Sequence, residues 1–600
     1  NTVGKLVEGR EPHEVAARTK TTWKPAKQVR PLTVLDPACG SGSFLIGAYQ
    51  YLLDWYRDWY VEHDPAQFKD RVYQVREDEW RLTTAERKRI LLDHIYGVDI
   101  DPQAVEVTKL SLLLKVLEGE TNETIQRQLF AKHRALPDLS SNVKCGNSLI
   151  GPDFYDNQQL DMFDEEERLR VNAFDWNTEF AEIMRGGGFD AVIGNPPYID
   201  SEWMTTYLKT TREYCVPRYR AASGNWDIFC VFCEKALSLC ADGGLHSFIV
   251  PNKIGSAGYA AGARSILAHD NTLVSVRDYS HVPVFPVSVY PIVYTSRRAD
   301  PNHNSATVLL ERMYMAETER VDIEVKYELS YTIFSSDVSR PWEIFATVGA
   351  SGLMEKLRKH RPLGEVVSVS GAATVAEAYE IKQLIDESPQ TCDGQLRLVN
   401  SGTIDRYSCL WGVKKCRYLK TSFLRPSVLR QREGELPAGR LRQARTPKII
   451  VAGMTEKLES MADLDGDMLA GKSTTIIHGN YDLKVLLGVL NSRVVSFFYL
   501  TSFGGDKLQG KYLRIGPPQL KTIPIAHEKS GQQNTESSIA SCVERIQSLC
   551  VRKHKAKTAH ERTALERQIA AMDRRIDELV YQLYGLSDEE IALVEEATAG

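Results

Sequence analysis

Asn195-Pro196-Pro197-Tyr198 brings together residue types that suit one piece of chemistry. Two consecutive prolines stiffen the loop, so the Asn195 side-chain amide and the Pro196 carbonyl are held as a fixed pair of acceptors. Paired acceptors match the two hydrogens of an amino group. An aromatic amine is a poor nucleophile because its lone pair is delocalised into the ring. Accepting both of its hydrogens favours a more pyramidal nitrogen facing a methyl donor, and positioning supplies most of the catalysis. Tyr198 offers a ring on which a base stacks. That contact is worth about 1–3 kcal/mol, against the few kcal/mol needed to take a base out of a duplex. The competing reading is a proline-rich turn that caps a strand.

A second cluster lies upstream, in Asp36-Pro37-Ala38-Cys39-Gly40-Ser41-Gly42-Ser43-Phe44-Leu45. Gly40 and Gly42 permit a tight turn and close approach to a ligand, and the helix that follows offers free amides. With neither the Walker lysine nor the GxGxxG spacing, the loop is poorly suited to phosphate, and a cofactor without phosphates fits better. Gly97-Val98-Asp99-Ile100-Asp101-Pro102 puts Asp99 where doubly wound folds grip ribose hydroxyls; Asp101 is the better candidate to cap the helix starting near Pro102. Cys145-Gly146-Asn147-Ser148 offers polar side chains to an adenine ring.

The elements that position these groups are legible as an alternation. β-rich runs at 33–36, 95–99, 190–194 and 245–250 are separated by amphipathic helical stretches, which predicts a mainly parallel sheet with helices on both faces and ligands at the carboxyl ends of its strands. Insertions rich in Trp and Tyr at 51–94, and polar at 152–186, interrupt the pattern. After about residue 300 the texture changes to short strands and basic loops, with turn signals at Pro389, Gly394, Gly402 and Gly434. Leu565, Ile569, Met572, Ile576 and Leu579 form one apolar stripe on a helix ending before Gly585, which reads as packing.

With 600 residues the chain is expected to form more than one domain. The net charge of −5 hides a strongly basic stretch. Residues 401–450 carry 12 Lys or Arg against 3 Asp or Glu, with Tyr407, Trp411, Tyr418 and Phe423 interleaved, a pattern that suits either a phosphate backbone or a solvated face. The odd number of cysteines, 11, favours reduced thiols in a cytoplasm, and the lone pair Cys230 and Cys233 reads as structural, with no metal site implied. No run of about 18 uncharged apolar residues is present, so no membrane is expected. The chain opens on Asn1, in what reads as a helix already under way, and is expected to have been cut from something longer.

The four motifs, in this order and on these strands, resemble the gamma-class amino methyltransferases acting on adenine in DNA. Asp227-Ile228-Phe229, Gly243-Gly244, Val250-Pro251-Asn252 and Val284-Phe285-Pro286 continue the likeness. Leu486 to Phe498, Gly516-Pro517-Pro518, Ile523-Pro524 and Ile576 to Leu586 resemble the target-recognition region and helical tail of type IIG restriction-modification enzymes. The resemblance implies a Rossmann-like, mainly parallel seven-stranded methyltransferase sheet over residues 1–335. An α+β target-recognition domain would span 336–530 and a helical tail 531–600. It implies S-adenosyl-L-methionine as cofactor, held by Asp36, Pro37, Ala38, Gly40 and Gly42, with Asp99 at the ribose and Ile100, Asn147 and Ser148 at the adenine. Asn195, Pro196, Pro197 and Tyr198 would form the active site, with Phe285 or Tyr290 as a second aromatic against the flipped base. Lys414, Lys415, Arg417, Arg430, Arg440 and Arg442 are the candidates for contacting double-stranded DNA in a bacterial or archaeal cytoplasm. One departure is that residues 1–30 lack a clear copy of the cofactor-contacting segment with Tyr, Thr and Pro that usually precedes the first strand.

Two other readings share some of these features. A protein-glutamine methyltransferase uses the same NPPY loop but is far shorter, with a different glycine motif and no basic second domain. A catalytically idle DNA-binding specificity module would not need intact NPPY and DPACGSG motifs. Glu324-Val325-Lys326 and Glu380-Ile381-Lys382 have the local form of a magnesium nuclease motif, but such triplets arise by chance in a chain of this length. If the protein restricts DNA, the nuclease is expected upstream of Asn1 or on a partner.

Overall fold

The computed structural model describes all residues but 1, 17–30, 78, 119–135, 157–169, 281, 286–288, 300–306, 317–319, 336, 338, 343, 345–348, 388–394, 505–511, 528–533 and 600. Asn1, Pro286, Pro389, Gly394 and much of the two segments 1–30 and 152–186 therefore lie outside the described residues. The chain divides into two compact units, Asn1–Trp342 and Glu343–Gly600.

The first unit is built on one sheet. Its strands are β1 (Val34–Asp36), β4 (Ile95–Asp99), β5 (Val143–Cys145), β6 (Phe189–Gly194), β7 (Cys240–Pro251), β8 (Thr272–Asp278), β9 (Pro291–Arg297), β10 (Thr307–Met315) and β11 (Val321–Ser330). A separate hairpin, β2 (Val72–Arg76) with β3 (Glu79–Leu82), sits in the first insertion. The sheet order is β11-β10-β8-β9-β7-β6-β1-β4-β5. Pairs from β7 through β6, β1 and β4 to β5 are parallel, whereas β9 is antiparallel to both of its neighbours. The sheet thus has nine strands where seven were expected. The two extra strands are β10, parallel to β8, and its antiparallel partner β11. The strands at its centre are apolar along their length because helices cover both faces: Val34, Leu35, Ile95, Val98, Phe189, Ala191 and Val192 are all fully buried.

The second unit contains a four-stranded antiparallel sheet, in the order Ser368–Gly371, Thr474–His478, Lys448–Ala452, Ser460–Asp463, and a second four-stranded sheet that pairs Leu396–Val399 with Met468–Ala470 in parallel. Helices Thr535–Lys555, Ala559–Tyr584 and Asp588–Ala597 follow. One core joins sheet to helices, since Ile449, Ile477, Leu486, Phe497, Ile539, Val543, Ile576 and Val580 belong to the same buried cluster. Most of the apolar stripe lies in this packing, with Ile576 and Leu579 buried in it and Ile569 and Met572 half-buried against it, while Leu565 is buried in a smaller cluster with Leu549 and Ala556. Gly585 ends the long helix in the left-handed conformation that a glycine adopts without penalty. Among the described residues no single helix is long and apolar enough to cross a membrane.

A buried ion pair ties the first sheet of this unit to its turn. Lys448 and Asp463 are fully buried side chains in contact, and Lys448 also donates to the Ala444 carbonyl at 2.6 Å. Asp463 accepts from the Gly466, Asp467 and Met468 amides at 3.0, 3.2 and 3.1 Å. Lys448→Met leaves that carboxylate buried without a cation, and is expected to cost about 3–5 kcal/mol in urea unfolding. A loss below about 1 kcal/mol contradicts this role for the pair.

Candidate functional site

The carboxyl ends of β1, β4, β5 and β6 bring the four motifs to one edge of the sheet. Beyond β1 the chain turns on Gly40 (φ 54°) and Gly42 (φ 82°) and enters the helix Ser43–Glu62. Gly42 allows close packing as well as the turn, because a Cβ there would lie 2.9 Å from the Thr108 methyl. Thr108, on the helix Pro102–Leu117, also donates its hydroxyl to the Gly40 carbonyl at 2.7 Å. No motif in the sequence flags Thr108, because its role exists only once the two helices are side by side.

Asp99 accepts the Gly40 amide at 2.8 Å on one oxygen and the Asp101 amide at 3.0 Å on the other. Asp101, not Asp99, caps the helix Pro102–Leu117, accepting from the Gln103 amide at 2.9 Å. The Asp99 carboxylate therefore bridges the glycine loop and the β4 turn. Beside it Ile100 is 47% exposed, an apolar side chain open to solvent at a strand end. On the β5 side, Ser148 donates to the Pro37 carbonyl at 2.5 Å and Asn147 accepts the Leu149 amide at 3.0 Å. Both side chains are buried.

Asp36 is buried at the end of β1, accepts the Ala38 amide at 3.0 Å, and faces the end of β6. A Cβ on Gly194 would lie 2.5 Å from its carboxylate, so only glycine lets β6 pass and deliver Asn195 beside it. Burial, opposed by the Ala38 amide and reinforced by Asp99, pushes the Asp36 carboxyl up to about 7.

In the Asn195-Pro196-Pro197-Tyr198 loop, Pro196 is buried and the other three residues are half-buried. The Asn195 Oδ1 atom is shut away from solvent and has no hydrogen-bond donor. Tyr198 is pinned to β7 through its hydroxyl, which donates to the Ile249 carbonyl at 3.0 Å, and burial raises its pKa. Phe285 meets the Tyr198 ring edge to face, with centroids 6.0 Å apart and planes at 89°. Of the two aromatics left open by the sequence, it is Phe285 that touches Tyr198; the Tyr290 carbonyl accepts the Asn252 amide at 2.8 Å. Asn252 is buried, and Asp227 accepts the Tyr259 hydroxyl at 2.5 Å. A cavity of about 450 Å³ lies over the sheet, lined by Phe44, Tyr51, Ile193, Ile249, Lys5 and Arg277; of the expected cofactor residues, none lines it. Cys230 and Cys233 are buried on the helix Ile228–Leu239, with the Tyr294 hydroxyl donating to Cys233 at 3.2 Å.

In the second unit, Lys414, Lys415, Arg417, Arg430 and Arg442 are exposed. Arg440 is not. It is 3% exposed and donates to the Ala470 carbonyl at 2.6 Å, which removes it from any surface that meets a phosphate. Other cations in the stretch 401–450 are held internally: Arg406 by Asp573 at 2.7 Å, Arg445 by Glu433, and Lys448 by Asp463. Asp573 and Asp463 lie outside the window whose charges were counted, so that count overstates the free positive charge.

Two family descriptions match the chain. Residues 93–285 match the Eco57I restriction-modification methylase and residues 400–525 the TaqI-like C-terminal specificity domain. The type II restriction enzyme and methyltransferase RM.Eco57I of Escherichia coli is 28% identical over 356 residues, covering 58% of this chain and 33% of that protein. The adenine-specific methyltransferase PglX of Streptomyces coelicolor is 27% identical over 214 residues, covering 35% and 15%. The chain thus spans a third or less of the length of these relatives. In fold it is similar to the type IIL restriction-modification enzyme MmeI in complex with DNA, with a TM-score of 0.51 and 13% identity over 95% of this chain and 73% of that one. The chain therefore carries an Eco57I-type restriction-modification methylase domain and a TaqI-like C-terminal specificity domain.

Proposed function

We propose that this chain transfers the methyl group of S-adenosyl-L-methionine to the exocyclic amino group of adenine at a specific short sequence in double-stranded DNA. It would do so in a bacterial or archaeal cytoplasm as part of a restriction-modification or phage-defence system. The observation that carries this reading is the buried Asn195 Oδ1 without a donor, on a proline-stiffened loop beside a pinned aromatic ring. The relatives support DNA over a protein-glutamine substrate through the specificity domain, and adenine over cytosine through the adenine-specific PglX. Neither nuclease-like triplet supports restriction by this region, since Glu324 and Lys326 lie on β11, with Lys326 3.7 Å from Glu311, and Glu380 lies within the helix Val375–Lys382. If the system restricts DNA, cleavage falls to another domain or subunit.

The residues at the strand ends fit the cofactor. Asp36, with Pro37, Ala38, Gly40 and Gly42, offers a buried carboxyl and a backbone turn to the methionine part. Asp99 offers a carboxylate to the ribose, and Ile100, Asn147 and Ser148 offer an apolar face and polar edges to the adenine. When bound, the cofactor supplies an electrophilic methyl on a sulfonium sulfur. Asn195 Oδ1 and the Pro196 carbonyl accept from the target amino group, orienting its nitrogen. The Tyr198 ring, fixed through Ile249, stacks on the flipped base, with Phe285 against its edge.

Asn195→Ala is expected to lower methyl transfer to duplex DNA at least a hundredfold while leaving cofactor and DNA affinity within about tenfold of wild type. Substantial turnover, or loss of cofactor binding, refutes the assignment.

Asp36 gives a pH dependence. Its carboxyl sits near 7 in the fold against an ordinary 3.8, so the folded state holds a proton that the unfolded chain has released. Stability therefore falls as pH rises from about 4 to about 7. Asp36→Asn keeps the acceptor for Ala38 and removes this fall, so without cofactor the variant's advantage in Tm is wider at pH 8 than at pH 5. Equal gaps at both pH values contradict the burial argument.

In the specificity domain, Lys414→Gln with Lys415→Gln is expected to weaken binding to cognate and random duplexes alike. Each lost phosphate contact flattens the dependence of log affinity on log salt by about 0.9. Unaltered affinity and slope identify the pair as a solvated surface.

A further inference from the structure

Asn252 stands where a helix cap is expected and does not act as one. It follows β7 and precedes the short helix Lys253–Ser256, a position at which an asparagine side chain ordinarily accepts from the first amides of the helix. Here the side chain makes no such bond. It is buried, and its Nδ2 atom donates to the Ser280 hydroxyl at 3.3 Å. The local bond is forgone for one to a distant segment of the chain.

The backbone of the same residue holds the other side of that segment. At the end of the ladder between β7 and β9, Pro251 pairs with Pro291, and neither has an N–H to donate. The Asn252 amide makes the next bond, to the Tyr290 carbonyl at 2.8 Å. Ser280 and Tyr290 flank Phe285 in the chain, so a single residue is bonded on both sides of that ring. Ser280 is itself fixed, because its amide donates to the fully buried Asp278 carboxylate at 2.9 Å. Between the two anchors Val282 is buried, and Phe285 is half-buried against Tyr198.

The carboxyl end of β7 therefore serves both rings. Ile249 accepts the Tyr198 hydroxyl at 3.0 Å, and three residues later Asn252 holds the chain on either side of Phe285. We propose that Asn252 is a positioning residue for the flipped base, fixing Phe285 relative to Tyr198 before DNA arrives. The inference rests on the DNA-methyltransferase reading and adds to it a residue that acts through Phe285 and not on the base itself. The expected cofactor residues lie at the ends of β1, β4 and β5, so cofactor binding is separate from this role. Packing alone would not depend on the Ser280 hydroxyl.

The test measures methyl transfer to duplex DNA, and S-adenosyl-L-methionine affinity, for the full chain and its variants Asn252→Ala, Ser280→Ala, Ser280→Thr, Phe285→Ala and Asn252→Ala with Phe285→Ala. Asn252→Ala and Ser280→Ala are each expected to lower kcat/KM for DNA about tenfold, as for a lost stacking contact, with cofactor affinity unchanged. Ser280→Thr keeps the hydroxyl and stays within about threefold of wild type. Because Asn252 acts through Phe285, adding Asn252→Ala to Phe285→Ala lowers kcat/KM by less than about twofold more. Losses that multiply in the double variant, or wild-type rates in both alanine variants, overturn the proposal. So does loss of cofactor affinity alongside transfer, which marks a general packing role. If Asn252→Ala does not fold, Ser280→Ala against Ser280→Thr decides alone. A wild type inactive on duplex DNA sinks the methyltransferase reading instead, so the two failures are distinguishable.

Discussion

A carbonyl oxygen shut away from water without a donor costs on the order of 1–3 kcal/mol, and Asn195 Oδ1 is such an atom. The rest of the methylase region is arranged so that this oxygen cannot relax. Two prolines stiffen the backbone that follows it, the Tyr198 hydroxyl fastens the loop to β7, and Gly194 admits the Asp36 carboxylate where any side chain would collide. On the proposed function, an acceptor held this rigidly would meet a donor that arrives with the substrate, the arrangement expected where positioning does most of the catalytic work.

The same sheet edge holds its acids in two different states of solvation. Asp36 is fully buried and displaced toward the protonated form, whereas Asp99 is half-buried and satisfied by the Gly40 and Asp101 amides. Two backbone amides on one carboxylate make the glycine loop and the β4 turn a single unit, and Thr108 locks the loop from the neighbouring helix. On the proposed function, a cofactor lying across β1, β4 and β5 would meet a preformed frame.

Much of this frame was legible because the motifs sit at strand ends. The run 95–99 is β4 residue for residue, and the runs 190–194 and 245–250 fall inside β6 and β7. Period and composition recognise such strands because both of their faces are buried. The pair β10 and β11 was not legible: β11 mixes exposed and half-buried residues at the edge of the sheet, and its polar composition gives no clear apolar face. Arg440 was misread because a local charge count cannot see that its helix turns that side chain inward, nor that Asp573 and Asp463, both beyond the counted window, neutralise Arg406 and Lys448. That Phe285 meets the Tyr198 ring likewise needed three-dimensional contact, since Phe285 and Tyr290 lie within one short segment beyond β8.

Product identity tests the central claim most directly. Duplex DNA incubated with the chain and S-adenosyl-L-methionine, then digested to nucleosides and weighed by mass spectrometry, should contain N6-methyldeoxyadenosine and no N4-methyldeoxycytidine. Methyl groups found on cytosine, on a protein glutamine, or nowhere would contradict the reading of the Asn195 loop as an acceptor pair for the amino group of adenine.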